Sequence, residues 1–147
     1  MILIEVIQQQ QYISMIKQNM IISYRGTAGL NDIGSDINIV KGNVENDERF
    51  KNDLETATKY KDIFKLILTG HSLGGSIAKF VSDKLSMPAY LYNPGAGLNY
   101  FKSMKNSLVK IYKIIGDPIS YLSNDTNTYL INGKPNLNPH TIDNFIY

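Results

Sequence analysis

The sequence predicts an α/β fold with a mostly parallel central sheet covered by helices, and three observations carry that expectation. Apolar, strand-like runs alternate with helical patterns along most of the chain, the order that builds a parallel sheet. One run, "IFKLILT", shows no polar alternation beyond Lys65, as suits a central strand buried on both faces. That run passes through glycines directly into a helical segment, "LGGSIAKFVSDKLS". At 147 residues the chain suits a single compact domain over residues 1–147 with one core.

The elements follow in order from periodicity and breakers. Residues about 5 to 18 read as helix, and "NMIISYRGT" supplies a short apolar strand that stops at Arg25-Gly26. "AGLNDIGSD", rich in Gly, Asn and Asp, reads as loop, with "INIV" as a short strand behind it. Residues about 45 to 60 place Phe50, Leu54 and Ala57 at helical spacing among charges, which predicts a surface helix with one apolar stripe. Beyond the helix that follows "IFKLILT", "PAYLYN" reads as a strand stopped by Pro94-Gly95, "LNYFKSMKN" as a helix, and "LVKIYKII" as a strand broken by "GDPIS". "TYLING" is expected as a hairpin or extended piece, "KPNLNP" as a turn, and "TIDNFIY" as a last short helix. The ten tyrosines show no regular stripe and read as core or surface filler.

Composition excludes several classes. A net charge of +2 with no basic block gives no reason to expect nucleic acid or an anionic membrane as partner. The absence of cysteine removes disulfides, thiolate metal sites and cysteine nucleophiles. "MILIEVIQQQ" carries Glu5 early and lacks a basic start and a small-residue cleavage site, so no signal peptide is expected. No apolar run reaches the roughly 20 residues of a membrane helix. A cytoplasmic or intracellular location is expected, a virion being compatible with it. Contact with a lipid surface is also compatible, and composition leaves the oligomeric state open.

The chemistry concentrates at Gly70-His71-Ser72-Leu73-Gly74. Glycines two before and two after a serine, between a strand and a helix, leave room for the sharp bend of a G-x-S-x-G nucleophile elbow. A serine hydroxyl needs a base within hydrogen-bond reach and a third group to orient that base. The chain holds two histidines. His71 adjoins Ser72 at the bend, where consecutive side chains diverge, which leaves His140 as the practical base. In α/β-hydrolases the acid falls between nucleophile and histidine in chain order. Asp83, Asp117 and Asp125 satisfy that order. Asp117 follows a strand directly, at the edge where open parallel sheets form their sites, and is preferred; Asp125, in a polar turn, is the runner-up. Asp83 sits well into a helix that leads away. The backbone N–H of Leu73 is one expected oxyanion donor, and Thr27, in "YRGT", is the other. Arg25 reads as structural, a partner for Asp36. No cofactor or metal is expected.

The blocks "ISYRGT", "LILTGHSLGGSIA", "YLYNPGAG", "GDPIS" and "HTIDNF" resemble, in order and local context, the class 3 (fungal-type) lipases, over residues 21 to 145. The resemblance implies an α/β-hydrolase fold in minimal form, with Ser72 as nucleophile, Asp117 and His140 as its partners, and Thr27 and Leu73 as oxyanion donors. It implies a serine esterase or lipase acting on a small-molecule ester or lipid through an acyl-enzyme. The segment where such lipases keep an amphipathic lid is here "AGLNDIGSDINIVKGN", mostly polar, so no full interfacial lid is expected. The alternative is a hydrolase fold kept without catalysis as a structural or interaction protein, of the kind reused in compact viral genomes.

Overall fold

The computed structural model describes residues 18–27, 44–95, 106–121, 123 and 127–146. The helix expected at about 5 to 18, the loop and short strand between Ala28 and Val40, the lid-like segment, the helix over 98–106, Asp36 and Asp125 lie wholly or almost wholly outside them.

Among the described residues five strands form one sheet: β1 (Asn19–Tyr24), β2 (Lys65–His71), β3 (Ala89–Tyr92), β4 (Val109–Ile114) and β5 (Thr128–Ile131). Every pairing is parallel and the spatial order is the chain order, β1-β2-β3-β4-β5. "TYLING" is therefore an extended strand and not half of a hairpin. β5 pairs parallel with β4, and a parallel partner requires a crossover and not a tight turn between them.

Two helices link the first three strands. α1 (Glu48–Tyr60) is preceded by a 3-10 turn, Val44–Asn46, and starts at Asp47, whose carboxylate accepts from the N–H groups of Arg49 (2.9 Å) and Phe50 (3.3 Å). Those are two of the donors that a helix start leaves without partners. Its predicted stripe is the buried side: Phe50 and Ala57 are enclosed and Leu54 packs beside them. α2 (Leu73–Leu85) is enclosed all round from Leu73 to Ser82, because it lies between α1 and strands β1, β2 and β3. Phe50 of α1 meets Phe80 of α2 edge-on, ring centres 5.4 Å apart.

Polar groups on a helix so buried need partners. The Ser76 hydroxyl donates to the Gly95 carbonyl, and the Ser82 hydroxyl donates to the Met87 carbonyl at 2.5 Å. Lys79 Nζ pairs with Asp83 Oδ2 at 2.7 Å, and Asn106 Nδ2 donates to Asp83 Oδ1 at 2.7 Å. The start of β4 is thereby tied to the far end of α2.

The registers explain the core. Leu66 and Leu68 of β2, Ala89 and Leu91 of β3, and Val109 and Ile111 of β4 line up in rows on one face, all fully buried beneath the helices. The other face of β2, with Ile67, Thr69 and His71, is only half-buried among the described residues. The apolar run thus has one fully enclosed face, where its lack of alternation suggested two.

The tightest packing lies where α2 leaves β2. A methyl added at Gly74 would overlap the Tyr24 carbonyl at the end of β1, and one added at Gly70 would overlap the Gly74 carbonyl. Neither obstacle is a side chain that could rotate away. Gly74→Ala is therefore expected to destabilise the fold by about 3 kcal/mol, the upper end of overpacking costs, because backbone must move. Phe50→Ala should cost about 3–5 kcal/mol through the cavity it leaves. Urea denaturation of the two variants checks both values; a Gly74→Ala midpoint equal to that of the unsubstituted chain would contradict the backbone contact.

Candidate active site

Ser72 stands between β2 and α2 with φ 55° and ψ −127°, a backbone conformation that side-chain-bearing residues rarely adopt. Hydrogen bonds hold the bend from both sides. The Ser72 N–H donates to the Tyr92 carbonyl at 3.2 Å, and the Ser72 carbonyl accepts from Gly75 (3.0 Å) and Gly95 (3.1 Å). Serine at a helix start ordinarily turns its hydroxyl back to cap the first turn. Here the hydroxyl makes no capping bond and lies 2.9 Å from His140 Nε2.

His140 sits in the loop between β5 and a 3-10 turn, Ile142–Phe145. Its Nδ1 lies 3.0 and 3.1 Å from the two carboxylate oxygens of Asp117. An ionised carboxylate only accepts, so Nδ1 carries a proton, and in the neutral ring Nε2 then turns a lone pair to the Ser72 hydroxyl. Asp117, three residues beyond β4, is itself fixed: its Oδ1 accepts from the Ile119 N–H (3.0 Å) and its Oδ2 from the Ser120 hydroxyl (2.5 Å). Burial alone would raise the Asp117 pKa, but the hydrogen bonds from His140 and Ser120, the nearby imidazole and the Ile119 N–H together hold it below its ordinary value. Ser72, His140 and Asp117 are all buried, each at most 4% exposed.

The predicted oxyanion donors lie beside the same bend. Leu73 is the first residue of α2, so its N–H is among the donors that the helix itself leaves unused. Gly26 follows β1 and packs against the elbow so closely that a methyl on it would come 2.7 Å from the His71 carbonyl and 3.4 Å from Ser72 Cβ. Thr27 is the next residue. Asp83, by contrast, lies about three turns along α2 from Ser72 and is committed to Lys79 and Asn106. Among the described residues, no group of three or more His, Cys, Asp or Glu side chains could hold a metal ion, and no helix is long and apolar enough to cross a membrane.

Ser120 and a row of aromatic rings are among the features that escaped the sequence. Ser120 grips Asp117, and the only local signal was an Asp followed three residues later by a Ser in "DPIS", with the backbone N–H of Ser120 also 3.3 Å from Oδ2. Three of the tyrosines, which as a set read as unpatterned, form a row across the sheet. His71 pairs in register with Tyr92, Tyr92 with Tyr112 and Tyr112 with Tyr129. Tyr92 and Tyr112 stack at 5.5 Å, Tyr112 and Tyr129 at 5.2 Å, and Phe145 of the last 3-10 turn meets Tyr92 at 5.1 Å. Each of "AYLY", "KIYK" and "TYLI" carries a tyrosine, but at a different place, so the row emerges only once the registers are known.

A family model, lipase (class 3), matches residues 31–89. The matched stretch runs through α1, β2, Ser72 and α2 to the first residue of β3, and leaves Asp117 and His140 outside it. The resemblance carried by the motifs is borne out there, and a five-stranded parallel sheet with helices fits an α/β-hydrolase fold. The match points to lipase or esterase chemistry. No curated protein matches the chain.

The lowered Asp117 pKa has a thermodynamic consequence whose sign is fixed. A carboxyl more acidic in the folded than in the unfolded chain adds stability above its ordinary value of 3.8, and that stability is lost as pH falls through the lower folded value. Thermal unfolding of the unsubstituted chain and Asp117→Asn should therefore differ most above about pH 4 and converge below it. A difference that stays constant down to pH 2 would contradict the direction of the shift.

Proposed function

We propose that the chain is a serine ester hydrolase that works through an acyl-enzyme on Ser72, with His140 as base, Asp117 as its orienting acid, and the backbone N–H of Leu73 together with Thr27 as oxyanion donors. The whole of residues 1–147 acts as one minimal α/β-hydrolase domain in this reading. The observation that carries it is the Ser72 hydroxyl, 2.9 Å from Nε2 of a histidine whose other nitrogen is held by a buried carboxylate.

The chemistry follows from those positions. As Ser72 Oγ attacks the ester carbonyl carbon, its proton passes to His140 Nε2, and Asp117 stabilises the imidazolium through Nδ1–H. The negative charge formed on the carbonyl oxygen is met by donors at the start of α2 and after β1, where the helix dipole also favours an anion. Collapse of this intermediate breaks the bond to the alcohol oxygen, which leaves with the proton held on Nε2. Water then adds to the acyl group, giving a proton to the same nitrogen. A second collapse releases the acid and returns that proton to Ser72.

A fluorophosphonate probe and a soluble ester, p-nitrophenyl butyrate, test the reading. The unsubstituted chain should label at Ser72, and Ser72→Ala should lose the label. In a comparable triad, removal of the nucleophile or the base lowers kcat by up to about a million-fold, and Asn in place of the acid by about ten-thousand-fold. Ser72→Ala, His140→Ala and Asp117→Asn are expected to follow that pattern. An unsubstituted chain that neither labels nor turns over ester would favour the structural or interaction role instead, and label retained in Ser72→Ala would put the nucleophile elsewhere.

A further inference from the structure

The base lies on a loop outside the sheet, yet its backbone is held by side chains at four consecutive carbonyls. Asn144 Nδ2 donates to the Asn138 carbonyl (2.8 Å) and to the Thr141 carbonyl (3.2 Å). Asn93 Nδ2 donates to the Pro139 carbonyl at 2.8 Å, and His71 Nε2 lies 2.6 Å from the His140 carbonyl. A carbonyl oxygen has no proton to give, so His71 must carry its proton on Nε2 and donate.

Two of these donors come from the sheet. His71 is the last residue of β2, bonded directly to Ser72. Asn93 follows β3 and is fully buried, with φ 41°, a left-handed backbone that asparagine tolerates better than most residues. Its second amide atom is also engaged: Oδ1 accepts from the Ile114 N–H at 2.8 Å. Ile114 ends β4, and its carbonyl in turn accepts from the Asp117 N–H at 3.1 Å. The ends of β2, which leads to the nucleophile, and of β3, whose Asn93 is bonded to the acid's strand at Ile114, thus each send one donor to the backbone of the base, at adjacent carbonyls.

We infer that His71 and Asn93 are positioning residues, which clamp the Pro139–His140 backbone so that His140 Nε2 stays within reach of Ser72 through both proton transfers. The inference rests on the hydrolase reading above and deepens it. His140 must serve alternately as base and acid without leaving its place, and a displacement of an ångström costs such a step about a hundredfold. The His71 ring lies 4.9 Å from that of His140. Burial above all keeps His71 less basic than an ordinary histidine, so it stays neutral and sets no second positive charge beside the imidazolium.

The test combines kinetics with imidazole nitrogen NMR on the full chain. With p-nitrophenyl butyrate, His71→Ala and Asn93→Gly, the latter keeping the left-handed backbone, should each lower kcat by about 10- to 100-fold while KM changes by less than about twofold. His71→Gln places an amide N–H near the former Nε2 and should recover most of the loss. Because both donors hold one peptide segment, the double variant should lose less than the product of the single losses. In the unsubstituted chain at pH 8, NMR should show His71 with a protonated Nε2 and a bare Nδ1. The clamp is overturned if folded His71→Ala keeps full kcat, if His71→Gln recovers nothing, or if His71 carries its proton on Nδ1. Should His71→Ala not fold, His71→Gln and the NMR spectrum still decide. An unsubstituted chain without label or turnover overturns the hydrolase reading and the positioning role with it, a result distinct from an active chain that ignores these substitutions.

Discussion

Everything in the site depends on a contact between backbones, where the start of α2 presses against the end of β1 with no side chain between them. Gly74 meets the Tyr24 carbonyl, and Gly70 meets Gly74 itself. This closeness forces the chain to reverse within one residue, so Ser72 takes its unusual backbone angles and its hydroxyl faces away from the helix it begins. Such angles cost on the order of 1–3 kcal/mol and persist only where the surroundings fix them. The surroundings here are β3 and the turn after it, which bond to the Ser72 N–H and carbonyl. Three strand ends meet at one serine.

Much of this was legible in the sequence, because the determinants are local. The strand at Asn19–Tyr24, the stripe of α1, the bend at "GHSLGG" and the helix after it all follow from periods and glycine spacing within a dozen residues. The position of Asp117 beyond a strand end was readable for the same reason. Apart from the grip of Ser120 on Asp117, what escaped was long-range. His71 is adjacent to the serine, which argued against it as base, and nothing local could say that its ring reaches a carbonyl 69 residues onward. Asn93 stood in a quoted motif, "YLYNPGAG", without a role, since its partners at Ile114 and Pro139 are distant in the chain. A side chain that bonds remote backbone leaves no periodic trace.

The aromatic row shows how the two kinds of information combine. Each tyrosine is one member of an ordinary strand pattern, and only the parallel register aligns Tyr92, Tyr112 and Tyr129. Stacked rings on neighbouring strands stabilise a half-open sheet face, as cross-strand aromatic pairs do. Phe145 adds a fourth ring from the turn that follows His140. The loop bearing His140 is consequently anchored twice, by polar donors to the carbonyls of residues 138 to 141 and by the aromatic contact of Phe145.

The agreement between spatial and chain order, β1 through β5, also bears on how the molecule assembles. None of the described strands has to be inserted between two already paired, so a chain emerging from the ribosome can lengthen this sheet by accretion, each new strand joining the most recent edge. Every stage before the last exposes unpaired backbone along that growing edge, the surface most prone to wrong pairing with another chain. The stages are also unequal in function: the strained serine bend needs only β1 to β3, whereas the histidine arrives after β5. Accretion in this order would complete the rare backbone geometry of Ser72 well before His140 arrives beside it.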